Sequence, residues 1–247
     1  MQCVILAGGL GTRLRPITET IPKSMVEVCG RPFLAYQLEI LKRNGVDEVV
    51  LCVGHLSGQI EEYFGNGKEF GIKILYSREE EGLLGTGGAL KNALSFLKDE
   101  FFLIYGDSYL EIDYRPVYDR FLQLDSPVLM TVFKNDNRWV ESNVIYDAGS
   151  VAIFDKQTQA PAMRYIDYGF SVLSRSILDE IPDGEPYSLD NLYHRLAGEG
   201  RLAGYEVFKR FYEIGSPEGL EELRFKLAPQ ALTSELLTSR NQPDTNS

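Results

Sequence analysis

The sequence predicts an α/β chain built on a doubly wound, mostly parallel sheet that carries an antiparallel extension. Three observations predict it: short, nearly continuous apolar runs, helical patterns alternating with them, and a glycine-rich turn directly after the first run. A length of 247 residues suits one large domain or two small ones.

Gln2 to Ala7 and Glu48 to Val53 have the composition of strands buried on both faces. Between them Phe33, Leu34, Leu38 and Leu41 fall at helical spacing. A helix is therefore expected from Pro32 to Asn44, with Pro32 in its first turn and Gly45 as its stop. The alternation continues with a helix at Gln59 to Phe64, a strand at Lys73 to Ser77, a helix at Gly88 to Leu97 and a strand at Phe101 to Tyr105.

After Asp113 longer strands are expected at Pro127 to Lys134, Asn143 to Asp147, Val151 to Lys156 and Tyr165 to Leu173. They would form the antiparallel or mixed extension, a lid over the sheet edge. Helices at Leu189 to Ala197 and Pro217 to Leu227, with a strand near Ala203 to Tyr212 between them, complete one domain over residues 1–227. From Ala228 onward Thr, Ser, Asn, Gln and Pro dominate, so residues 228–247 are expected to be a disordered tail. No hexapeptide β-helix repeat is present.

Acidic residues outnumber Lys and Arg by 36 to 25, a net charge of −11. That shortage of positive charge argues against nucleic acid or a membrane surface as partner, and leaves a small anionic ligand escorted by a metal compatible. No run approaches the roughly 20 apolar residues of a membrane span. The apolar start, Met1 to Ala7, lacks a basic leader and runs into glycines, so it reads as a strand and not as a signal peptide. Cys3, Cys29 and Cys52 are odd in number, and two of them lie inside strand-like runs, as expected of reduced thiols in a cytoplasmic protein.

The densest chemistry is Leu6-Ala7-Gly8-Gly9-Leu10-Gly11-Thr12-Arg13-Leu14-Arg15-Pro16, placed after the first strand at the carboxyl edge of the sheet. Glycines there let backbone N–H groups come close to a phosphate. Leu14 stands where a dinucleotide fingerprint needs its third glycine, and no Gly-Lys-Ser/Thr closes a Walker loop. Pro22-Lys23-Ser24-Met25 adds a further cation. Nucleotidyl transfer needs such charge around the α-phosphate and the leaving pyrophosphate, and Arg13 and Lys23 fit those roles.

These motifs resemble the sugar-phosphate nucleotidylyltransferases, a family whose opening pattern is this Gly-Gly-Leu-Gly-Thr-Arg-Leu run followed by Pro-Lys. The resemblance spans roughly residues 1 to 225. It implies a Rossmann-like, GT-A-like sheet with a sugar-side extension, a nucleoside triphosphate and a sugar 1-phosphate as reactants, and Mg²⁺ as cofactor. It implies that Leu6, Ala7, Gly8, Gly9, Gly11 and Thr12 hold the nucleotide, that Arg13 assists departure of pyrophosphate, and that Lys23 holds phosphate in the transition state. Tyr105-Gly106-Asp107 ends a buried strand, and the resemblance gives Asp107 the metal. The second carboxylate is expected from Phe211 to Glu218, where Glu213 stands in place of the family's usual Asp and reaches one methylene further.

The attacking group would be the acceptor's own phosphate, largely dianionic near neutral pH because its second pKa is about 6. No general base is required, in keeping with the match of His55 and His194 to no motif of the family.

Arg78 to Leu90 matches the family's base-reading loop, with Glu80, Gly85, Thr86 and Gly87 at the nucleoside. Uracil- and thymine-using members tend to carry a Gln where this chain offers Glu80. A carboxylate only accepts, which suits the N1–H and N2–H₂ donors of guanine, so GTP is favoured. The Leu-Gly-Thr-Gly-Gly-Ala wording is most similar to heptose-1-phosphate and mannose-1-phosphate guanylyltransferases. On the sugar side the resemblance implies Glu141, Asn143, Lys156, Asp167 and Gly169, with Lys156 on the sugar phosphate and Asp167 on sugar hydroxyls.

Other readings stay open at this point. They are a glucose-type enzyme using UTP or dTTP, a cytidylyltransferase for a phosphorylated alcohol, and a module that binds nucleotide sugars without turnover. The sequence is silent on oligomeric state and leaves a homodimer open.

Overall fold

The computed structural model describes residues 1–80 and 82–239, with side chains to Pro229. In chain order the elements are β1 (Gln2–Leu6), β2 (Glu27–Val28), β3 (Arg31–Pro32), α1 (Phe33–Arg43), β4 (Glu48–Val53), α2 (Ser57–Phe64), β5 (Lys73–Arg78) and α3 (Gly85–Asn92). Then come β6 (Glu100–Tyr105), β7 (Ser108–Tyr109), α4 (Arg115–Phe121), β8 (Val128–Lys134), β9 (Val144–Asp147), β10 (Ser150–Phe154) and β11 (Tyr165–Ser174). The last are α5 (Leu189–Gly198), β12 (Leu202–Val207), β13 (Tyr212–Glu213) and α6 (Pro217–Ser239).

One sheet runs β5-β4-β1-β6-β11-β8-β12-β10-β9. Its first four strands are parallel, as expected of apolar runs joined by helices. β11 enters antiparallel to both β6 and β8, and β8 is parallel to β12, so the extension is mixed. Alternate side chains of each strand serve opposite cores. Cys3, Ile5, Phe102 and Ile104 pack on the face covered by α1, α4 and α6. Val4, Phe101 and Leu103 pack with α3 and α5 on the other. Burial on both faces is why these strands read as continuous apolar runs and not as alternating ones.

Two expected elements differ. The helix placed at Gly88 starts three residues earlier, at Gly85, because Tyr187 accepts two of its first N–H groups through its carbonyl, Gly87 N at 2.8 Å and Gly88 N at 3.1 Å. The strand expected from Ala203 to Tyr212 is two strands: β12 ends at Val207, and β13 pairs instead with β7. α4 and the short β2, β3 and β7 were not anticipated.

Helical backbone in α6 runs on to Ser239 with Pro229 inside it, past the domain end expected at 227. The tail expected over 228–247 therefore coincides in part with helix, and residues 240–247 lie outside the described residues. Among the described residues no helix is long and apolar enough to cross a membrane.

Candidate active site

β1 has β4 on one side and β6 on the other. The winding reverses there, and the crevice beyond the carboxyl ends of β1 and β6 is where open α/β sheets take ligands. A cavity opens at that place. Leu6 to Gly9 and Gly11 form one wall, Lys23 and Ser24 another, Glu79, Leu83, Gly85 and Thr86 a third, and Tyr105 to Asp107 the floor.

The glycine loop is shaped by close approach. Ala7 donates its N–H to Cys52 O at 2.8 Å, and a Cβ on Gly8 would stand 2.7 Å from Glu79 Oε1. Gly11 has φ +59°, and a Cβ there would lie 2.9 Å from Thr18 Cγ2 and 3.2 Å from Lys23 Cβ. Glycine answers both demands, the left-handed backbone and the missing side chain. Thr18 fixes the turn by donating its hydroxyl to Gly11 O at 2.8 Å. Thr12 is exposed in the 3₁₀ turn that follows and does not line the cavity.

The sequence-predicted charges do converge. Lys23 Nζ lies 2.5 Å from Asp107 Oδ2, with side chains 16% and 24% exposed, so the pair is partly shielded from water. β13 pairs antiparallel with β7, setting Glu213 opposite Ser108, and Ile214 donates its N–H to Asp107 O at 2.9 Å. That ladder carries the second carboxylate to the first across about a hundred residues of sequence. Burial pushes the Glu213 carboxyl above the usual carboxylate range and Asp107 adds to the effect, against Arg13 and Lys23. Arg13 arrives from the other side: a Cβ on Gly215 would stand 3.2 Å from both Arg13 Nη2 and Glu213 Oε2.

Gln37 of α1 holds the floor in place. Its Nε2 donates to Tyr105 O and to Ser108 O, each at 2.9 Å, bracketing Asp107. Among the described residues no group of three or more His, Cys, Asp or Glu forms a cage. Asp107 in the cavity floor and Glu213 beside it, outside the lining, are the kind of oxygen donors that Mg²⁺ accepts when substrate phosphates and water complete its shell.

At the far wall the structure places Glu79, not Glu80, on the cavity. Glu79 Oε2 accepts the Leu84 N–H at 2.7 Å and Oε1 faces Gly8, while burial raises its carboxyl above the ordinary range. Glu80 is exposed, and Glu81 lies outside the described residues. The expectation for this loop was thus one residue out of phase. Gly85 and Thr86 line the cavity as expected. Gly87 does not: it is buried against Tyr187, whose Cδ1 a Cβ would meet at 2.7 Å. Thr86 Oγ1 accepts the Leu189 N–H at 2.8 Å, so this turn is tied to the start of α5.

Asn143, Lys156, Asp167 and Gly169 form a cluster beside Tyr105 rather than in the cavity wall itself. In β11 Asp167 faces Val132 and Ser171 faces Met130 of β8, so the residues between them bulge opposite Thr131. Gly169 carries the bend at φ +91°, lying against Ser108 and Tyr105. Asp167 Oδ1 accepts the Gly169 N–H at 2.9 Å, and Asn143 Oδ1 accepts the Asp167 N–H at 3.1 Å. Lys156 Nζ is 2.9 Å from Asp190 Oδ1, 4.0 Å from Asp167 Oδ2 and 5.6 Å above the Tyr105 ring. Burial pulls the Lys156 ammonium down, but Asp167 and Asp190 outweigh it and hold it above its ordinary value. Burial pushes Asp167 up despite Lys156. Glu141 is exposed.

Residues 2–226 match the nucleotidyl transferase family. The chain belongs to that family. A D-glycero-α-D-manno-heptose 1-phosphate guanylyltransferase from Campylobacter jejuni is 35% identical over 226 residues, covering 88% of this chain and 96% of the relative. A UTP–glucose-1-phosphate uridylyltransferase from Synechocystis is 31% identical over 81% of this chain, which spans only 56% of that relative's length. Among solved structures, HddC from Yersinia pseudotuberculosis complexed with GMP-PN is 29% identical with a TM-score of 0.77, over 92% of this chain and 99% of that one.

Sequence reasoning for this nucleotidyl transferase missed Gln37, Glu79, Asp190 and Ser24. Glu79 had a usable signal, since its N–H still donates to Val53 O at 3.0 Å and so continues the β5 ladder. Gln37 and Asp190 reach the site only through tertiary packing.

Proposed function

We propose that the chain transfers a guanylyl group from GTP to a sugar 1-phosphate of manno configuration, a manno-heptose or mannose type, with Mg²⁺, giving a GDP-sugar and pyrophosphate. The observation that carries the base assignment is the Glu79 carboxylate in the cavity wall, held by the Leu84 N–H. A carboxylate accepts from the N1–H and N2–H₂ of guanine and offers nothing to the O4 of uracil. The manno-heptose substrate of the Campylobacter guanylyltransferase and the GMP-PN in the HddC structure support the same reading.

In this account the glycine loop, Gly8 to Gly11, presents backbone N–H groups to the triphosphate. Arg13 stabilises charge on the departing pyrophosphate, and Lys23 on the α-phosphate in the transition state. An oxygen of the acceptor phosphate forms the new P–O bond at the α-phosphorus as the bond to pyrophosphate breaks, and no side chain has to remove a proton. Asp107 and Glu213 would hold Mg²⁺, which when bound neutralises phosphate charge and aligns the reacting oxygens. Asp167, beside Lys156, would accept from acceptor hydroxyls, with Asn143 and Gly169 fixing its place. Direct binding tests the base assignment: GTP should bind about tenfold or more tighter than UTP, and equal affinity would remove it. The Synechocystis relative favours a UTP-dependent alternative, for which Glu79 supplies no donor.

A further inference from the structure

Among the described residues, the buried side-chain polar atoms without a hydrogen-bond partner are Ser24 Oγ, Gln37 Oε1, Tyr105 OH, Tyr168 OH and Arg210 Nε. Of these residues, Ser24 and Tyr105 line the central cavity. Tyr105 offers the cavity a ring as well as a hydroxyl. Ser24 offers nothing but a hydroxymethyl group, and it is 1% exposed.

Its setting says what the hydroxyl is for. Ser24 sits in the 3₁₀ turn Lys23–Met25, next to the lysine that is paired with Asp107. The same turn packs on the glycine loop through Lys23 Cβ and Gly11. A hydroxyl buried without a partner weakens the folded state, and such a group persists where a ligand supplies the partner. The ligand chemistry next to a glycine loop, a lysine and two carboxylates is a phosphate chain with its metal. We infer that Ser24 positions that chain, donating its O–H to a non-bridging oxygen of the triphosphate, and of pyrophosphate in the reverse direction. The hydroxyl is carried by a single staggered torsion, so few conformations have to be fixed when it takes a partner. The inference rests on nucleotidyl transfer at this cavity and is independent of which base or sugar is used.

The test uses inorganic pyrophosphate with Mg²⁺ as probe, on the full chain and on Ser24→Ala and Ser24→Cys. Calorimetry reads affinity, and thermal unfolding reads the stability of the ligand-free protein. Both variants should bind pyrophosphate about tenfold more weakly, the scale of one hydrogen bond to a charged group, with an unfolding midpoint equal to or above that of the parent. Unchanged affinity in both variants overturns the inference and leaves nucleotidyl transfer standing. A lowered midpoint with unchanged affinity overturns it too, assigning the hydroxyl to the fold. If the parent itself fails to bind pyrophosphate, the inference and the nucleotidyl-transfer reading fall together.

Discussion

The ammonium of Lys23 lies 2.5 Å from the carboxylate of Asp107, one of the two groups proposed to hold a divalent cation. In the proposed mechanism a cation at Asp107 would therefore compete with the lysine for the same carboxylate. Lys23 compensates Asp107 in the metal-free protein, and metal and nucleotide would release it toward phosphate. Lys23→Gln should lower the transfer rate by roughly two to three orders of magnitude, as loss of a charge-stabilising group does. It should also raise affinity for Mn²⁺ in the absence of nucleotide by about tenfold, because an adjacent opposite charge is gone. Mn²⁺ titration followed by electron paramagnetic resonance checks the second effect, and weaker binding would exclude the competition.

Glu213 stands close to Asp107 because β13 pairs with β7, and Gly219 leaves room for it: a Cβ there would lie 2.5 Å from Glu213 O. Glu213→Gln is expected to lower activity by about a hundredfold or more and to raise the Mg²⁺ concentration needed for half-maximal rate. Glu213→Asp keeps the charge and should fall between. Initial rates across a Mg²⁺ series separate the three. A Gln variant with parental Mg²⁺ dependence would remove Glu213 from the metal.

Burial raises Glu79, so the folded protein holds a proton there at pH values where the unfolded chain has lost it. From the ordinary glutamate range up to the raised value, stability must therefore fall as pH rises, the sense opposite to that of a salt-bridged carboxylate. Glu79→Gln should flatten that slope in the ligand-free protein and narrow the preference for GTP over UTP about tenfold. Denaturant midpoints at several pH values, with nucleotide affinities of both proteins, decide both points.

Lys156 and Asp167 offer a double-mutant test. Lys156→Met leaves Asp167, 4% exposed, without its cation. The expected cost is about 1–2 kcal/mol, less than for a fully buried pair because Lys156 is 37% exposed. Asp167→Asn in the Lys156→Met background should recover most of that stability while raising the Michaelis constant for the sugar 1-phosphate. Urea unfolding of the four proteins measures the first, and acceptor titration the second.

What was legible in the sequence was what local pattern encodes. The two-face burial of β1, β4 and β6 appears as uninterrupted apolar runs, and the glycine loop announces itself at Gly11, where only glycine suits both the left-handed backbone and the close neighbours. Asp107 was legible as a carboxylate just past the end of a buried strand, and its expected metal role came from the family resemblance. Glu80 was expected at this wall, where Glu79 lines the cavity, because strand alternation has a period of two and the ladder continues past Ser77. The run after Ala203 reads as a single strand because its composition does not show Phe208 to Phe211 turning to another sheet. Asp190 and Gln37 carry no local signal, since each acts through a partner more than thirty residues away.

The most direct test of the account is Mg²⁺-dependent pyrophosphate release by the purified protein. GTP, UTP, dTTP and CTP should each be crossed with mannose, glucose and manno-heptose 1-phosphates. Release is expected with GTP and a manno-configured acceptor, and none without Mg²⁺. Release with UTP or dTTP and glucose 1-phosphate in preference would contradict the assignment of Glu79, and no release from any pair would contradict sugar-nucleotide transfer itself.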